Sequence, residues 1–142
     1  MKKASWILLT FAGVAIILLS LVSAWHAYRT SDDYAIGSSR VSKVAGGDAG
    51  LATALRGIRG TSAAYATAYG VLFLAIVLGP YRRGDVWAWK ALLVAGFTEF
   101  VLVLLRIPLL GTQHGLLAAV LQVSFLVVGL VLGAGRLKGP AR

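Results

Sequence analysis

The chain has 142 residues, 58% of them hydrophobic and only 13% charged, where a soluble domain carries roughly a quarter charged. It holds no cysteine, which excludes a disulfide framework, a thiolate metal site and a redox pair, and two histidines are too few for a metal cage of their own. The formal net charge of +9 would point to nucleic acid on a soluble protein; here many basic residues flank apolar runs, where they set topology and meet lipid headgroups, so no nucleic-acid partner is expected.

The first apolar run covers residues 6–24 and is preceded by Lys2 and Lys3. It is close to the ~20 residues a span needs and longer than the ~7–15-residue core of a signal peptide. A retained membrane helix is therefore expected, although Val22 and Ala24 would suit the small-residue positions before a cleavage site. Trp25, His26 and Tyr28 follow, as amphipathic rings do at headgroup level; His26 reads as an interfacial polar tip rather than a ligand.

Residues 29–61 are the one long polar segment. Its front half, RTSDDYAIGSSR, is dense in turn formers, and the Asp32–Asp33 pair within it reads as solvated turn caps. In GGDAGLATALRGIRG, Asp48 can cap a short helix starting near Ala49. Leu51, Leu55 and Ile58 give that helix an apolar face. An interfacial helix is expected there, with Arg56 and Arg59 at headgroup level.

A second span is expected over residues 62–79, ended by Pro80. Gly60, Ala64 and Ala68 repeat every four residues, a small-residue stripe that lets helices approach closely. Tyr65, Thr67 and Tyr69 make its first half semi-polar. Arg82 and Arg83 lie in a basic turn, Trp87 and Trp89 re-enter the interface, and Lys90 can snorkel. The third span, residues 87–108, is followed by a short turn over residues 109–114 and a fourth span over residues 115–135. The expected fold is all-α: an integral membrane four-helix bundle, a single domain of residues 1–142, with a short external interfacial helix between spans one and two. With the N-terminus inside, eight of the basic residues (Lys2, Lys3, Arg82, Arg83, Lys90, Arg136, Lys138 and Arg142) fall on the inner side. The bias of Lys and Arg in short flanks therefore predicts both termini cytoplasmic and residues 29–61 external.

The third span carries one carboxylate near its middle, Glu99, and one guanidinium near its end, Arg106. A charge in hydrocarbon costs at least several kcal/mol unless it meets a partner or water. Ala88, Ala95, Glu99 and Arg106 share one helical stripe, and Ala118, Gln122, Gly129 and Gly133 share another, with Gly129 and Gly133 forming a GxxxG. Both spans thus carry their polar residue on the small-residue side, which places Glu99 and Gln122 inside the bundle. At about 1.5 Å per residue, Glu99 lies about 16 Å from the end near Leu110 and Gln122 about 13 Å from the turn at Gln113. A Glu99–Gln122 hydrogen bond is expected. Arg106, about 10 Å further out, either reaches toward Glu99 through a bridge such as water, Tyr65, Tyr69 or His114, or snorkels to headgroup phosphates.

The inner turn Tyr81-Arg82-Arg83-Gly84-Asp85-Val86-Trp87-Ala88-Trp89 and the four-span layout resemble small bacterial four-helix membrane proteins of uncharacterised function, some loosely similar to the DoxX-like group. The resemblance covers the general plan and this one turn. It implies a compact four-helix bundle in a bacterial plasma membrane, and it supplies no catalytic residues.

Catalytic motifs are missing from the sequence: it contains no HExxH, GxSxG or phosphate loop. His26 and His114 could ligate a haem or pigment, but no attachment motif accompanies them, and no cofactor is named by the sequence. Three functions remain. The first is a non-enzymatic membrane protein acting by association, as an accessory or structural subunit of a complex or as a homo-oligomer. The second is a small transporter or ligand-binding bundle using a protonatable Glu99 with Arg106, Gln122, Tyr65 and Tyr69. The third is a lipid-modifying membrane enzyme. The partners expected are the lipid bilayer and other membrane subunits or further copies of the chain.

Overall fold

The computed structural model describes residues 2–36, 39–110, 116–135 and 137. Four long helices dominate it: α1 (Lys2–Tyr28), α3 (Ala49–Ile76, continued by a π-helical turn Val77–Tyr81), α4 (Val86–Leu110) and α5 (Leu116–Ala134). Between α1 and α3 lie two short antiparallel strands, β1 (Ala35–Ile36) and β2 (Ser39–Arg40), and a five-residue helix α2 (Val41–Ala45). Each long helix is long and apolar enough to cross a membrane, so the all-α class read from hydropathy is the class observed. Two hydroxyls in α1 bond carbonyls of their own helix, Thr10 to Trp6 O at 2.7 Å and Ser20 to Ile17 O at 2.9 Å, a local way to satisfy a hydroxyl in an apolar phase.

Two boundaries differ from expectation. The helix expected at Ala49 is present, and it runs into the second span without a break: Ala49–Tyr81 is 33 residues, about 50 Å of helix against a hydrocarbon thickness of about 30 Å. No proline or turn interrupts it at the junction, where Gly60 is packed against the Tyr28 ring. Its first turns therefore extend beyond the apolar layer as part of the span itself. Pro80 does not end the helix either. A proline lacks the N–H and crowds the carbonyl of the preceding turn; the wider π turn admits it, and Pro80 O accepts the Asp85 N–H at 3.1 Å. The chain then reverses at Gly84, whose φ of 89° lies in the left-handed region.

Contacts group the chain into two compact units, Met1–Val14 with Val71–Arg142, and Ala15–Gly70. In the first unit four helical segments pack antiparallel in sequence order. Leu9, fully buried, sits on Gly129, Gly13 faces Leu74 and Phe73, and Phe11 meets Phe125 edge to face at 6.4 Å. The buried positions of α4 include Ala88, Leu92 and Gly96, with Gly96 lying against Leu126 of α5; those of α5 include Ala119, Leu126, Leu130 and Gly133, with Gly133 lying against Tyr81 and Ser5. Ala119, not Ala118, is therefore the small residue of that stripe near the start of α5. Trp89 adds a cross-helix bond, Nε1–H to Leu130 O at 3.1 Å.

In the second unit α1 and α3 pack antiparallel. Gly70 lies against Ile17 and Ile16, Ser20 Oγ meets Thr67 Oγ1 at 2.8 Å, and Gly60 lies against Tyr28. The buried side of α3 here is Gly60, Ala63 and Gly70, with Thr67 half-buried; Ala64 and Ala68 are exposed. Of the stripe at Gly60, Ala64 and Ala68, then, only Gly60 is covered by the chain's own helices. The strands and α2 sit in the same unit, with Val41 and Ala45 buried. α2 stops at Gly46, whose φ of 56° makes a left-handed cap.

Candidate functional site

Three polar clusters stand out from an otherwise apolar chain. The first is in the first unit, where Gln122 Nε2 donates to both carboxylate oxygens of Glu99, 2.8 Å each. The two oxygens of one carboxylate lie too close together to meet the amide's two diverging hydrogens, so a single N–H of Gln122 is shared between them. Both side chains are half-buried. Arg106, seven residues along α4, is exposed, the placement of a guanidinium that reaches headgroups. Tyr65 and Tyr69 belong to the second unit; Tyr65 is 74% exposed and Tyr69 half-buried. His114 lies outside the described residues.

The second cluster, also in the first unit, was not anticipated. Ser5 and Tyr81 are buried. Ser5 Oγ lies 2.6 Å from Tyr81 Oη, and each hydroxyl also reaches Gly129 O, at 2.9 and 3.0 Å. Two hydroxyl protons serve three contacts, so one hydroxyl bonds the carbonyl while the other hydrogen is placed on either neighbour. The glycines make this possible: an ideal Cβ on Gly133 would sit 2.8 Å from Ser5 Oγ and 2.9 Å from Tyr81 Cζ. In sequence, Tyr81 opens a basic turn; its 1% exposure follows from a helix that continues past Pro80. Around the same turn, Arg82 stacks on the Trp6 ring at 4.8 Å and Arg83 pairs with Asp85 at 3.8 Å. Trp87 is exposed.

The third cluster is the polar cap of the second unit. Arg56, on α3, donates to Arg29 O at 2.5 Å and Asp32 O at 2.8 Å, just past the end of α1; Arg29 O also accepts the Asp32 N–H at 3.1 Å. Arg29 lies over the Trp25 ring at 4.9 Å. His26 Nδ1 meets Asp32 Oδ2 at 2.9 Å, so His26 is held by an acid as well as sitting beside the aromatic belt. Asp33 accepts from the Ser42 backbone N–H at 2.9 Å and from the Ser42 hydroxyl at 2.7 Å. The Ser42 bonds, backbone first, together with the nearby charges of Arg40 and Arg56, hold the Asp33 carboxyl below its ordinary value. The Asp32–Asp33 pair therefore organises the loop. Asp48 accepts from the N–H of Gly50 at 2.8 Å and of Leu51 at 3.1 Å, capping α3 as its position in the sequence predicts. Arg59 lies 4.2 Å over the Tyr34 ring and gives Nε–H to Ser23 Oγ at 3.1 Å. An open cleft of about 520 Å³ runs along His26, Ser31, Asp32, Asp33, Tyr34 and Arg59. Tyr34 and its stacking on Arg59 carry no local sequence signal; they depend on residues 25 positions apart meeting across the α1–α3 pair.

Among the described residues no group of three His, Cys, Asp or Glu side chains is placed to hold a metal ion. Four membrane-length apolar helices, with polar side chains either turned onto one another or gathered in an extramembrane cap, define a multi-pass helical membrane protein. Compared with known protein families, with characterised proteins and with solved structures, the chain shows no significant match.

Proposed function

We propose that this is a non-enzymatic membrane protein that works by association, as an accessory or structural subunit of a membrane complex or as a homo-oligomer. The observation that supports this reading best is an uncovered face of α3. Gly57, Thr61, Ala64, Ala68 and Ala75 recur at helical spacing and are all exposed, with open space over Gly57. Helices in lipid associate by close van der Waals packing, which small residues permit, and the fold spends a different face of α3 on α1. The distribution of Lys and Arg supports both termini cytoplasmic and residues 29–61 outside, and the resemblance of the four-span layout to small bacterial membrane proteins supports a bacterial plasma membrane. Light scattering after mild detergent extraction tests the association. The expected species is heavier than the 14.9 kDa chain, and the double substitution Ala64→Ile, Ala68→Ile is expected to return it to monomer. A wild-type protein that is strictly monomeric and carries no partner contradicts the proposal.

The Glu99–Gln122 pair favours a second reading, a small transporter or ligand-binding bundle in which Glu99 takes up and releases a proton. Infrared difference spectra of the full chain across pH address it. A carboxyl band that titrates in wild type and vanishes in Glu99→Gln supports a proton site; if no band in the wild type depends on pH, the pair is structural.

A further inference from the structure

The turn between α3 and α4 carries charge that the fold leaves uncompensated. Arg82, Arg83 and Lys90 are exposed there, and Asp85 is the one acid near them in sequence. Asp85 meets Arg83 at 3.8 Å with both side chains exposed, and a loose surface pair of this kind neutralises little. Among the described residues no ion pair engages Arg82 or Lys90. Lys2 and Lys3 open α1, adding positive charge to the same helix that supplies Trp6, whose ring lies 4.8 Å from the Arg82 guanidinium.

Topology accounts for basic residues at this end, but not for the way Arg82 is held. A free arginine side chain samples many rotamers, and ordering it costs free energy. The Trp6 ring fixes the guanidinium by its face, which leaves the in-plane N–H fork for an acceptor. On α4, Ala88 is buried and Trp89 is turned inward, donating to Leu130 O. Trp87 and Lys90 are left exposed three residues apart, on one side of the helix. The site therefore offers two cations, one of them already positioned, to an anion with several acceptor oxygens.

The surrounding apolar surface identifies what carries that anion. Ile7 follows Trp6, and Leu78 precedes Arg82 by about one helical turn; both are exposed, on helices apolar enough to cross a membrane. A soluble anion leaves such surface bare, whereas acyl chains cover it. Indole rings at the ends of spans mark the headgroup level, and basic clusters at that level attract anionic lipid. We propose that the α3–α4 turn, together with Trp6 of α1, is a binding site for an anionic phospholipid, whose headgroup phosphate is taken by Arg82 and Lys90.

The test uses the full chain in a maltoside detergent, with phosphatidylglycerol and phosphatidylcholine offered together and the bound lipid read by native mass spectrometry. Phosphatidylglycerol is expected to be retained in preference. Arg82→Gln and Lys90→Gln are each expected to weaken its binding about fivefold, the effect of one basic residue at an anionic surface. Lys43→Gln, in α2, removes the same charge elsewhere and is expected to leave binding unchanged. Trp6→Leu keeps the net charge and removes the ring that holds Arg82, so a loss of about threefold is expected. This variant separates a built site from charge alone, and it decides the matter even where Arg82→Gln fails to fold. The proposal is overturned when the two lipids are held equally, when Lys43→Gln weakens binding as much as Arg82→Gln, or when Trp6→Leu binds as tightly as wild type.

Discussion

Gly133→Ala is expected to destabilise the first unit by about 3 kcal/mol, the largest effect of any single methyl in this chain. The added Cβ would overlap Tyr81 Oη and press on Ser5 Oγ and Tyr81 Cζ. Overpacking a close-packed interior costs about 1–3 kcal/mol, and displacing the Tyr81 hydroxyl also breaks its bonds to Ser5 and Gly129 O, at about 1 kcal/mol each. Tyr81 has little room to move: it is fully enclosed and follows a proline-bearing turn. Gly96→Ala is the control. Its Cβ would meet only the end of the Leu126 side chain, which can rotate away, so a loss of under about 1 kcal/mol is expected. Unfolding titrations of both variants in mixed detergent micelles measure the difference. Equal stability for the two would show that the Ser5–Tyr81–Gly129 cluster does not hold the helix ends together.

The second large effect is expected at Arg56. Arg56→Gln removes the fork that bonds Arg29 O and Asp32 O, leaving the carbonyls at the end of α1 without their charged donor. Hydrogen bonds to charged groups are worth about 1.5–3 kcal/mol in protected settings, and partial exposure reduces this, so a local loss of about 2 kcal/mol is anticipated for the pair. Amide exchange over residues 29–45 should then quicken roughly thirtyfold while exchange in α4 and α5 stays as it was. Arg56→Lys is expected to recover only part of the protection, since an ammonium cannot present two parallel donors to two carbonyls. Unchanged exchange in the Gln variant would show that the loop is ordered by its own turns and the Asp33–Ser42 bonds alone.

The parts of this fold that a sequence reader can see are those governed by composition and period. Four apolar runs near twenty residues announce four membrane-length helices because unsatisfied backbone is intolerable in lipid. Glu99 and Gln122 could be paired before any coordinates, since depth along a helix is a matter of counting residues and small neighbours mark the packed side. The Asp48 cap was legible for a similar local reason. What stayed hidden depends on contacts between distant residues. Pro80 reads as a terminator because its effect on an ordinary α turn is disruptive, and only the π turn shows the helix surviving it. Tyr81 consequently reads only as the start of a basic turn in sequence and is a buried hydrogen-bonding residue in the fold. Ala64 and Ala68 carry the pattern of a packed stripe, yet within the chain the neighbouring face at Ala63, Thr67 and Gly70 is used instead. The polar cap was the least legible: Arg56, Arg59 and Tyr34 are ordinary residues in a basic loop until α1 and α3 bring them onto the same few carbonyls and one ring.

Every reading offered for this chain depends on α3 carrying it from one side of a bilayer to the other. The absence of cysteine permits a direct measurement with single introduced thiols, Lys43→Cys in α2 and Arg83→Cys in the turn before α4, both at exposed positions. A membrane-impermeant maleimide applied to intact bacterial spheroplasts should label position 43 at once and position 83 only after permeabilisation. Labelling of both positions from the same side would contradict the crossing, and with it the membrane role built upon it.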